Sequence, residues 1–416
     1  MLSIDFIRNN KQKVIDGAKN KNRAVDIDTI LTLDEERKEL SGAAQKLRED
    51  RNTVAKEKPS DESIKRGREI KEKLKGVEDK LRHIEDELNN LLMQVPNVPL
   101  DDVPIGPDDK SNKEIKKWGD TDQIKSPKSH IDLANELGLA DFERGAKVSG
   151  FRGYFLKGDL ARLHFAVLFY AFNKLIAKGY TPLIAPAITR EFTLFGNGQF
   201  PWGRQEVYQL NDEDAYLAGT AEVTVTGYFA NETLNVKELP QKFVAFSPCY
   251  RREAGSYGRD TKGLYRVHEF WKVEQLVFAP NNLDDGLGIF DELQANTEEI
   301  LQDLEIPYRV MYMSTGEMGE PVIKKNDTED WIPSKNEYGE IGSNSILGDF
   351  QARRMGIKYK EANDATQYCF TLNNTGIASP RILIPLLENH QQPDGSITIP
   401  KALQPLVGFD KIERKK

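Results

Sequence analysis

A heptad pattern of apolar residues in the N-terminal part of the sequence restricts that part to long helices. One series is spaced alternately by four and three residues: Ile70, Leu74, Val77, Leu81, Ile84, Leu88, Leu91 and Val95. An upstream series repeats every seven residues: Leu33, Leu40, Leu47 and Val54. This spacing is typical of helices that pack along one apolar seam.

The segment EKPSDES separates the two series and predicts a turn. Pro59 ends the first helix, and Ser60 or Asp61 can cap the second. The sequence therefore predicts an antiparallel helical hairpin over about residues 28–95, with arms on the order of 40 Å long. A coiled coil that dimerises two chains is the alternative, but a short turn between helices of matching length favours the intrachain pair.

Basic side chains off the seam are candidates for contacts with phosphate groups. A solvated helix surface would have the same composition, and the pattern leaves both possibilities open. The formal net charge of −8 argues against a chain coated in nucleic-acid-binding charge, without excluding a local basic patch. The residues concerned are Lys46, Arg48, Arg51, Lys65, Arg66, Arg68, Lys73 and Lys75.

The proline-rich segment VPNVPLDDVPIGPDDKSN marks a domain boundary near residues 96–115. Beyond it, the helix-like LARLHFAVLFYAFNKLIAKG alternates with short apolar runs: YTPLIAPAI, KFVAFSPCY, KVEQLVFA and ATQYCFTLNN. Strands that alternate with polar turns and a few helices predict an α+β domain around an antiparallel sheet. A chain of 416 residues is long enough for such a domain and the hairpin.

Composition excludes several classes of protein. The only cysteines are Cys249 and Cys369, so neither a disulfide framework nor a zinc site is expected. No apolar run approaches the roughly 18 residues of a membrane span, and the N-terminus lacks a signal-peptide pattern. We therefore expect a cytoplasmic protein without membrane association. The absence of GxxxxGK[ST] excludes a P-loop.

The charged stretch CYRREAGSYGRDTKGLYRVHEFWKVE lies between apolar runs. A solvent-exposed hairpin is the simple interpretation, but apolar flanks disfavour it because buried charges need partners or a ligand. The glycines of AGSYGRDTKG indicate a mobile loop. On extended chain, three sets of alternate residues would each share a face: Arg251 with Glu253, then Arg266, His268 and Phe270, and finally Lys272 with Glu274.

Three further segments carry polar residues. In LAGTAEVTVTGYF, Thr220 and Glu222 would share a strand face and could recognise an ammonium group, or they could cap a helix. In isolation EIGSNSILGDFQARRM predicts a surface loop followed by a helix. TLNNTGIASPRILIPLLENHQ predicts a strand, a turn and an apolar helix, with Arg381 on a solvated face.

In this order, behind a helical hairpin, the four segments resemble the bacterial-type seryl-tRNA synthetases, a family of class II aminoacyl-tRNA synthetases. The resemblance covers essentially the whole chain. It also includes HIDLANELGLADFERGAKVSG and the GNGQFP loop. Small departures are Arg252 within the RxE pair and Gly342 where serine is frequent.

The resemblance implies an N-terminal tRNA-binding domain over residues 1–100 and a class II catalytic domain over residues 101–416. The implied reaction is ATP-dependent activation of L-serine to seryl-adenylate, with Mg²⁺, and transfer to the 3′-terminal adenosine of tRNA(Ser), or of tRNA(Sec) where it is present. A homodimer that uses Pro186 is also implied. The alternatives are a ligase that loads an amino acid onto a carrier protein and a non-catalytic coiled-coil interaction protein.

The resemblance also assigns residues. Arg251 would hold the α-phosphate, Glu253 the adenine amino group, and Arg381 the γ-phosphate; the implied catalytic residues are Arg251, Arg266 and Arg381. The implied serine-binding residues are Thr220, Ala221, Glu222, Arg251, Glu274, Asn373 and Thr375. The implied ATP-binding residues are Arg251, Arg252, Glu253, Arg266, Val267, Phe270, Glu340, Ile341, Gly342, Ser343 and Arg381. Glu340 and Ser343 would also meet Mg²⁺, whereas Arg259 has no assigned role.

Overall fold

A computed structural model describes residues 1–122, 124–211, 213–255, 258 and 262–414. The chain forms two compact units, Met1–Val98 and Pro99–Lys416. The proline-rich segment packs within the second unit, because the Leu100 amide donates to the Ile323 carbonyl at 3.0 Å and the Thr315 amide donates to the Pro104 carbonyl at 2.9 Å. Residues from Pro99 onward therefore belong to that unit, although the sequence predicted a linker there.

The first unit is helical and contains the predicted hairpin. Its helices are α1 (Ile4–Asn9), α2 (Lys11–Asn20), α3 (Ile27–Val54) and α4 (Asp61–Leu92). An ion pair joins Arg48 of α3 to Glu78 of α4, and Glu57, in the turn after α3, pairs with Arg66 near the start of α4. Residues later in the first arm therefore pair with residues earlier in the second. The two helices are therefore antiparallel, and the predicted hairpin is confirmed.

The turn of the hairpin follows the predicted capping chemistry. Helix α3 ends at Val54, ahead of Pro59, and the side chain of Ser60 accepts a 3.1 Å hydrogen bond from the Ser63 amide at the start of α4. Many seam residues are buried, and those near the base of the hairpin share a cluster with α1 and α2: Leu2, Ile7, Val14, Ile27, Ile30, Leu33, Ile84, Leu88 and Val95.

The second unit contains the predicted α+β domain. Its strands are β1 (Lys113–Trp118), β2 (Ala140–Asp141), β3 (Phe155–Leu156), β4 (Thr181–Ile184), β5 (Ile188–Thr189), β6 (Tyr208–Gln209), β7 (Tyr216–Leu217), β8 (Thr233–Asn235), β9 (Gln241–Tyr250), β10 (Glu269–Ala279), β11 (Tyr308–Tyr312), β12 (Lys324–Ile332), β13 (Glu337–Gly348), β14 (Lys358–Lys360), β15 (Thr366–Tyr368), β16 (Phe370–Ser379), β17 (Ile397–Thr398) and β18 (Lys411–Ile412). Its α-helices are α5 (His130–Glu136), α6 (Phe142–Ser149), α7 (Gly158–Ala177), α8 (Glu191–Asn197), α9 (Ala221–Thr226), α10 (Leu283–Asp303), α11 (Phe350–Met355), α12 (Leu383–Asn389) and α13 (Gln404–Val407).

The main sheet has eight strands in the order β1-β11-β12-β13-β16-β10-β9-β4. Its pairs are antiparallel, as predicted, except that the edge strand β4 runs parallel to β9. One face of the sheet packs on α7 and α10 through a core that includes Leu163, Val273 and Leu293. The opposite face is therefore free to carry polar side chains near the middle of the sheet.

By length and apolar composition alone, helix α7 could cross a membrane, although no apolar run of that length was expected from the sequence. Its residues Leu160, Leu163, Leu168 and Leu175 are buried in the core that covers the sheet. A core helix has the same composition as a short membrane span, so length and composition are weak evidence for membrane insertion.

Candidate active site

A cavity of about 330 Å³ lies over the polar face of the central strands. Strands β10, β16 and β13 are neighbours in the sheet, so side chains on their common face converge. The lining residues are Thr220, Glu222, Arg251, Glu253, Leu264, Tyr265, Val267, Phe270, Lys272, Glu274, Lys325, Glu340, Ile341, Gly342, Ser343, Ser345, Asn373, Thr375, Ala378, Ser379, Pro380 and Arg381. The cavity thus brings together residues from all four polar segments of the sequence.

Strand β10 presents alternate residues to the cavity, as its sequence predicts. Phe270, Lys272 and Glu274 all line it. Lys272 and Glu274 form an ion pair whose side chains are 7% and 2% exposed. The Lys272 ammonium also donates a 2.7 Å hydrogen bond to the hydroxyl of Thr220. A buried carboxylate is thereby kept next to a cation, which offsets part of its desolvation.

Thr220 and Glu222 lie at a helix N-terminus, so the strand interpretation of this segment is wrong and the capping alternative is confirmed. The Thr220 side chain caps α9 by accepting from the Glu222 amide at 3.2 Å. Both residues still reach the cavity, whereas the buried Ala221 is not among its lining residues. Burial, reinforced by the charge of Glu274, raises the pKa of Glu222.

Arg251 and Glu253 reach the cavity without sharing a strand face, which corrects the prediction for this pair. Strand β9 ends at Tyr250, and Glu253 adopts a left-handed backbone conformation with φ of 52°. The Arg251 Nε donates to the Gly219 carbonyl at 3.2 Å, and its guanidinium lies 5.2 Å from the centre of the Phe270 ring. These contacts fix the arginine at the wall of the cavity.

Arg266 does not line the cavity, and it precedes the returning strand instead of lying on it. Strand β10 begins at Glu269, so the strand alternation predicted for Arg266, His268 and Phe270 is wrong for the first two residues. The Arg266 guanidinium donates a 2.9 Å hydrogen bond to the carboxylate of Glu253, which does line the cavity.

Glu206 holds the start of the segment that follows Arg251, and sequence analysis missed it. Its carboxylate accepts from the amides of Ala254 and Gly255, each at 3.1 Å, and its carbonyl accepts from the Arg252 amide at 3.0 Å. Arg252 does not line the cavity. Half of the predicted mobile loop, including Arg259, lies outside the described residues.

The segment that begins at Glu340 lies on strand β13, so its interpretation as a surface loop is wrong. The Ser343 hydroxyl donates to the Glu340 carboxylate at 3.4 Å. The Glu340 side chain is 50% exposed, so the partial desolvation that opposes its ionisation is outweighed by the charges of Arg381, Lys325 and Arg251, which lower its pKa. Glu340 therefore carries a negative charge at neutral pH.

Gly342 makes room for Thr375 on the neighbouring strand. A Cβ atom at position 342 would lie 2.8 Å from the Cβ of Thr375, well inside contact distance. The departure at Gly342 from the family pattern thus has a steric reason in this chain.

Arg381 lies at the cavity, as the family resemblance implies, and not on the solvated face that the isolated segment suggests. Strand β16 and helix α12 flank it, as the sequence predicts. Its Nε donates to the Tyr265 carbonyl at 2.9 Å, and its Nη1 donates to the Glu340 carbonyl at 2.8 Å. The guanidinium also lies 4.6 Å from the centre of the Tyr265 ring.

Lys325 and Asp327 on β12 form a second ion pair, with side chains 18% and 7% exposed, which sequence analysis did not identify. Their charged atoms are 2.9 Å apart, and Lys325 lines the cavity. Burial, reinforced by the charge of Glu340, raises the pKa of Asp327 to about 6. The one sequence signal was the spacing in KKND, where Lys325 and Asp327 are two residues apart and would share a strand face.

Comparison with known families identifies both units. Residues 1–99 match the family described as Seryl-tRNA synthetase N-terminal domain, and residues 205–390 match tRNA synthetase class II core domain (G, H, P, S and T). A curated protein of Deinococcus radiodurans named serine–tRNA ligase is 45% identical, and the alignment covers 98% of each chain.

The chain belongs to the seryl-tRNA synthetase family.

Solved seryl-tRNA synthetases have the same fold. The enzyme of Pyrococcus horikoshii, complexed with ATP, is 36% identical with a TM-score of 0.92, and the match covers 100% of both chains. The cytoplasmic serine–tRNA ligase of Naegleria fowleri, in complex with AMP, is 31% identical with a TM-score of 0.89, covering 100% of this chain and 99% of that one. Neither alternative from the sequence, a carrier-protein ligase or a non-catalytic interaction protein, is favoured by these relatives.

Proposed function

We propose that this chain is a serine–tRNA ligase that activates L-serine with ATP to seryl-adenylate and transfers the seryl group to the 3′-terminal adenosine of tRNA(Ser). The observation that carries the proposal is one cavity that contains the carboxylates Glu222 and Glu274 together with the guanidinium groups of Arg251 and Arg381. Such a site can hold an amino acid by its ammonium group beside a polyphosphate.

The first step requires positioning and positive charge more than an acid or a base. The serine carboxylate attacks the α-phosphorus, a carboxyl–phosphate bond forms, and the bond to pyrophosphate breaks. Arg251 is proposed to contact the α-phosphate and Arg381 the γ-phosphate. Because Arg381 is fixed through Tyr265 and the Glu340 backbone, its charge is placed before the reaction begins.

Serine is proposed to bind at the buried part of the cavity. Glu222 and Glu274 would accept from its ammonium group, and Asn373 and Thr375, both 8% exposed, supply polar atoms near its hydroxyl. A site that hydrogen-bonds the hydroxyl rejects alanine, because buried polar groups would then lack a partner.

ATP is proposed to occupy the part of the cavity next to Glu253. Glu253 would accept from the adenine amino group, while Val267, Phe270, Ile341 and Gly342 supply the surrounding walls. Arg266 is proposed to reach the distal phosphates, and its 2.9 Å bond to Glu253 would also orient that carboxylate.

The residues present fit a magnesium ion that arrives with ATP. Glu340 is kept ionised and lies beside the Ser343 hydroxyl, and carboxylate and hydroxyl oxygens are ligands that Mg²⁺ accepts. The described residues contain no cluster of three or more acidic, histidine or cysteine ligands, so most of the ligands would come from phosphate and water. The ion would neutralise charge on the phosphates.

The hairpin α3–α4 is proposed to bind the tRNA. Its candidate basic residues are all exposed, and only Arg48 and Arg66 among them form the ion pairs that cross the hairpin. Recognition of RNA by shape and phosphate contacts suits a long charged arm. tRNA(Sec) would be accepted where it is present.

A homodimer and a cytoplasmic location are also proposed. The edge strand β4 and its surroundings expose large apolar side chains, with Ile184 76% and Ile188 58% exposed, next to Pro186. A second copy that covers this edge would bury them. The two cysteines are buried and unpaired, as suits a reducing compartment.

The proposal is tested by ATP–pyrophosphate exchange with a panel of amino acids. Serine alone should support rapid exchange, with threonine and alanine far slower. Exchange that responds to another amino acid, or to none, would overturn the assignment.

A further inference from the structure

The segment HIDLANE, which the proposed chemistry leaves without a role, begins with a buried histidine that touches two distant parts of the chain. His130 is 6% exposed and is the first residue of α5. Its Nδ1 lies 3.0 Å from a carboxylate oxygen of Glu388 on α12. Its Nε2 accepts a 3.3 Å hydrogen bond from the backbone amide of Leu264, a residue that lines the cavity.

The partners of His130 determine which ring nitrogen carries the proton. The Glu388 carboxylate is fully buried, and it also accepts from the backbone amides of His130 at 2.7 Å and Ser334 at 3.0 Å. These bonds lower the pKa of Glu388 despite its burial, so it is an acceptor. Nδ1 must therefore donate to Glu388, which leaves Nε2 free to accept from Leu264.

The chain approaches the imidazole too closely for any side chain at position 263. A Cβ atom on Gly263 would lie 2.3 Å from the His130 Nε2, and Gly263 has a φ of 80°. This contact lies at the end of AGSYGRDTKG, where the chain returns to the cavity. The imidazole thus meets the returning chain at a fixed point.

From this contact a short series of bonds leads to the phosphate-binding arginine. Leu264 and Tyr265 both line the cavity. The Tyr265 carbonyl accepts from the Arg381 Nε at 2.9 Å, and the Tyr265 ring lies 4.6 Å from the Arg381 guanidinium. Whatever fixes the backbone at Leu264 therefore also fixes two contacts of Arg381.

We propose that His130, held by Glu388, is a positioning residue for ATP: its Nε2 fixes the Leu264 backbone and, through Tyr265, the orientation of Arg381. The inference rests on the proposed function, because it assumes that Arg381 meets ATP. The simpler interpretation is a buried histidine–glutamate pair that only joins α5 to α12. In the positioning role, ATP affinity depends on the bond from Leu264 to Nε2. In the simpler interpretation, the bond from Nδ1 to Glu388 stabilises the fold and ATP affinity does not depend on Nε2.

Two substitutions separate the nitrogens. His130→Asn places an amide group near Nδ1, which can keep the bond to Glu388 but does not reach Leu264. His130→Gln places an acceptor near Nε2, which can keep the bond to Leu264 at the expense of Glu388. A positioning role predicts that ATP binding follows the bond to Leu264, even if the Gln variant is the less stable protein.

The experiment measures ATP affinity by calorimetry, amide hydrogen exchange at Leu264, melting temperature, and KM for ATP in serine-dependent exchange. For His130→Asn we expect about tenfold weaker ATP binding, a similar rise in KM, faster exchange at Leu264 and a melting temperature near that of the unsubstituted protein. For His130→Gln we expect ATP binding and Leu264 exchange within about twofold of the unsubstituted protein.

The results distinguish failure of this inference from failure of the proposed function. ATP affinity that falls in parallel with melting temperature, or equal losses in both variants, would overturn the positioning role. If the Asn variant does not fold, the Gln variant decides the question. Loss of ATP affinity in a folded Gln variant overturns the positioning role, and retained ATP affinity supports it. Absence of serine-dependent exchange in the unsubstituted protein counts against the proposed function alone, since ATP binding and amide exchange still test His130.

Discussion

Lys272 and Glu274 form an ion pair on one face of β10, and both side chains are almost completely buried. Truncation of either residue would leave the other charge without its partner in the cavity. Thr220 joins the pair through its bond to Lys272. The N-terminus of α9 is thus connected to strand β10 at the proposed serine site, through the hydrogen bond between Thr220 and Lys272.

We predict that Glu274→Ala lowers serine-dependent ATP–pyrophosphate exchange by about two orders of magnitude or more, because both an ammonium acceptor and the counterion of Lys272 are lost. The measurement is the initial exchange rate at saturating ATP. Glu232→Ala, an exposed glutamate that does not line the cavity, is the control and should retain full activity. Near-normal exchange by Glu274→Ala would exclude Glu274 from serine binding.

Removal of the outer hairpin separates activation from tRNA charging. Since Arg48 pairs with Glu78, residues 44–82 can be replaced by a short glycine–serine turn that joins matched positions of α3 and α4. The buried cluster at the base, with Ile30, Leu33 and Ile84, remains. We expect unchanged exchange and loss of tRNA charging. Charging at the normal rate would show that the outer hairpin does not bind tRNA.

The hairpin was predictable because a heptad seam and a capped turn are local signals, as residues from Leu33 to Val95 illustrate. The antiparallel sheet was predictable from its apolar runs. The site required the resemblance to a family, because its residues come from four separate segments. The prediction that alternate residues share a strand face is correct for Lys272 and Glu274 on β10. It is wrong for Arg251 and Glu253, because β9 ends at Tyr250.

Other contacts could not be predicted from sequence because they depend on tertiary packing. Glu206 holds backbone amides from a distant segment, and His130 meets Glu388 and Leu264 only after α5, α12 and the sheet have packed. Gly342 differs from the family pattern for a reason that appears only when Thr375 lies on the next strand.

Asp34 should make the stability of the first unit depend on pH. Burial opposes its ionisation, but hydrogen bonds from Lys38, Arg37 and Arg8 lower its pKa. A lowered pKa in the folded state stabilises the fold above the ordinary carboxyl pKa of about 4, and this stabilisation is lost as the pH falls through the lower folded value.

We therefore expect Asp34→Asn to lower the free energy of unfolding by about 2 kcal/mol at neutral pH, with the difference shrinking in acid. Urea unfolding of a fragment of residues 1–98, followed by circular dichroism at several pH values, measures it. Glu35→Gln removes a neighbouring carboxylate that is 68% exposed and should have little effect. A difference that does not change with pH would contradict the assigned role of Asp34.

Ile184→Glu should disrupt the proposed dimer, because a charge on the exposed edge strand β4 would be buried in the interface. Light scattering after size exclusion should give twice the 47.2 kDa chain mass for the unsubstituted protein and a single chain mass for the variant. Ile105→Glu, at an isoleucine that is 73% exposed, is the matched control and should remain dimeric. Equal masses for all three proteins would reject this interface.

Charging of tRNA tests the central claim most directly. The unsubstituted protein is incubated with labelled serine, ATP, Mg²⁺ and either total tRNA or transcripts with and without a long variable arm, and the acid-stable label on tRNA is counted. We predict seryl esters at the 3′-terminal adenosine of transcripts that carry the long arm, and none on the others. Absence of seryl-tRNA while serine-dependent adenylate formation proceeds, or transfer of serine to a carrier protein instead, would contradict the account.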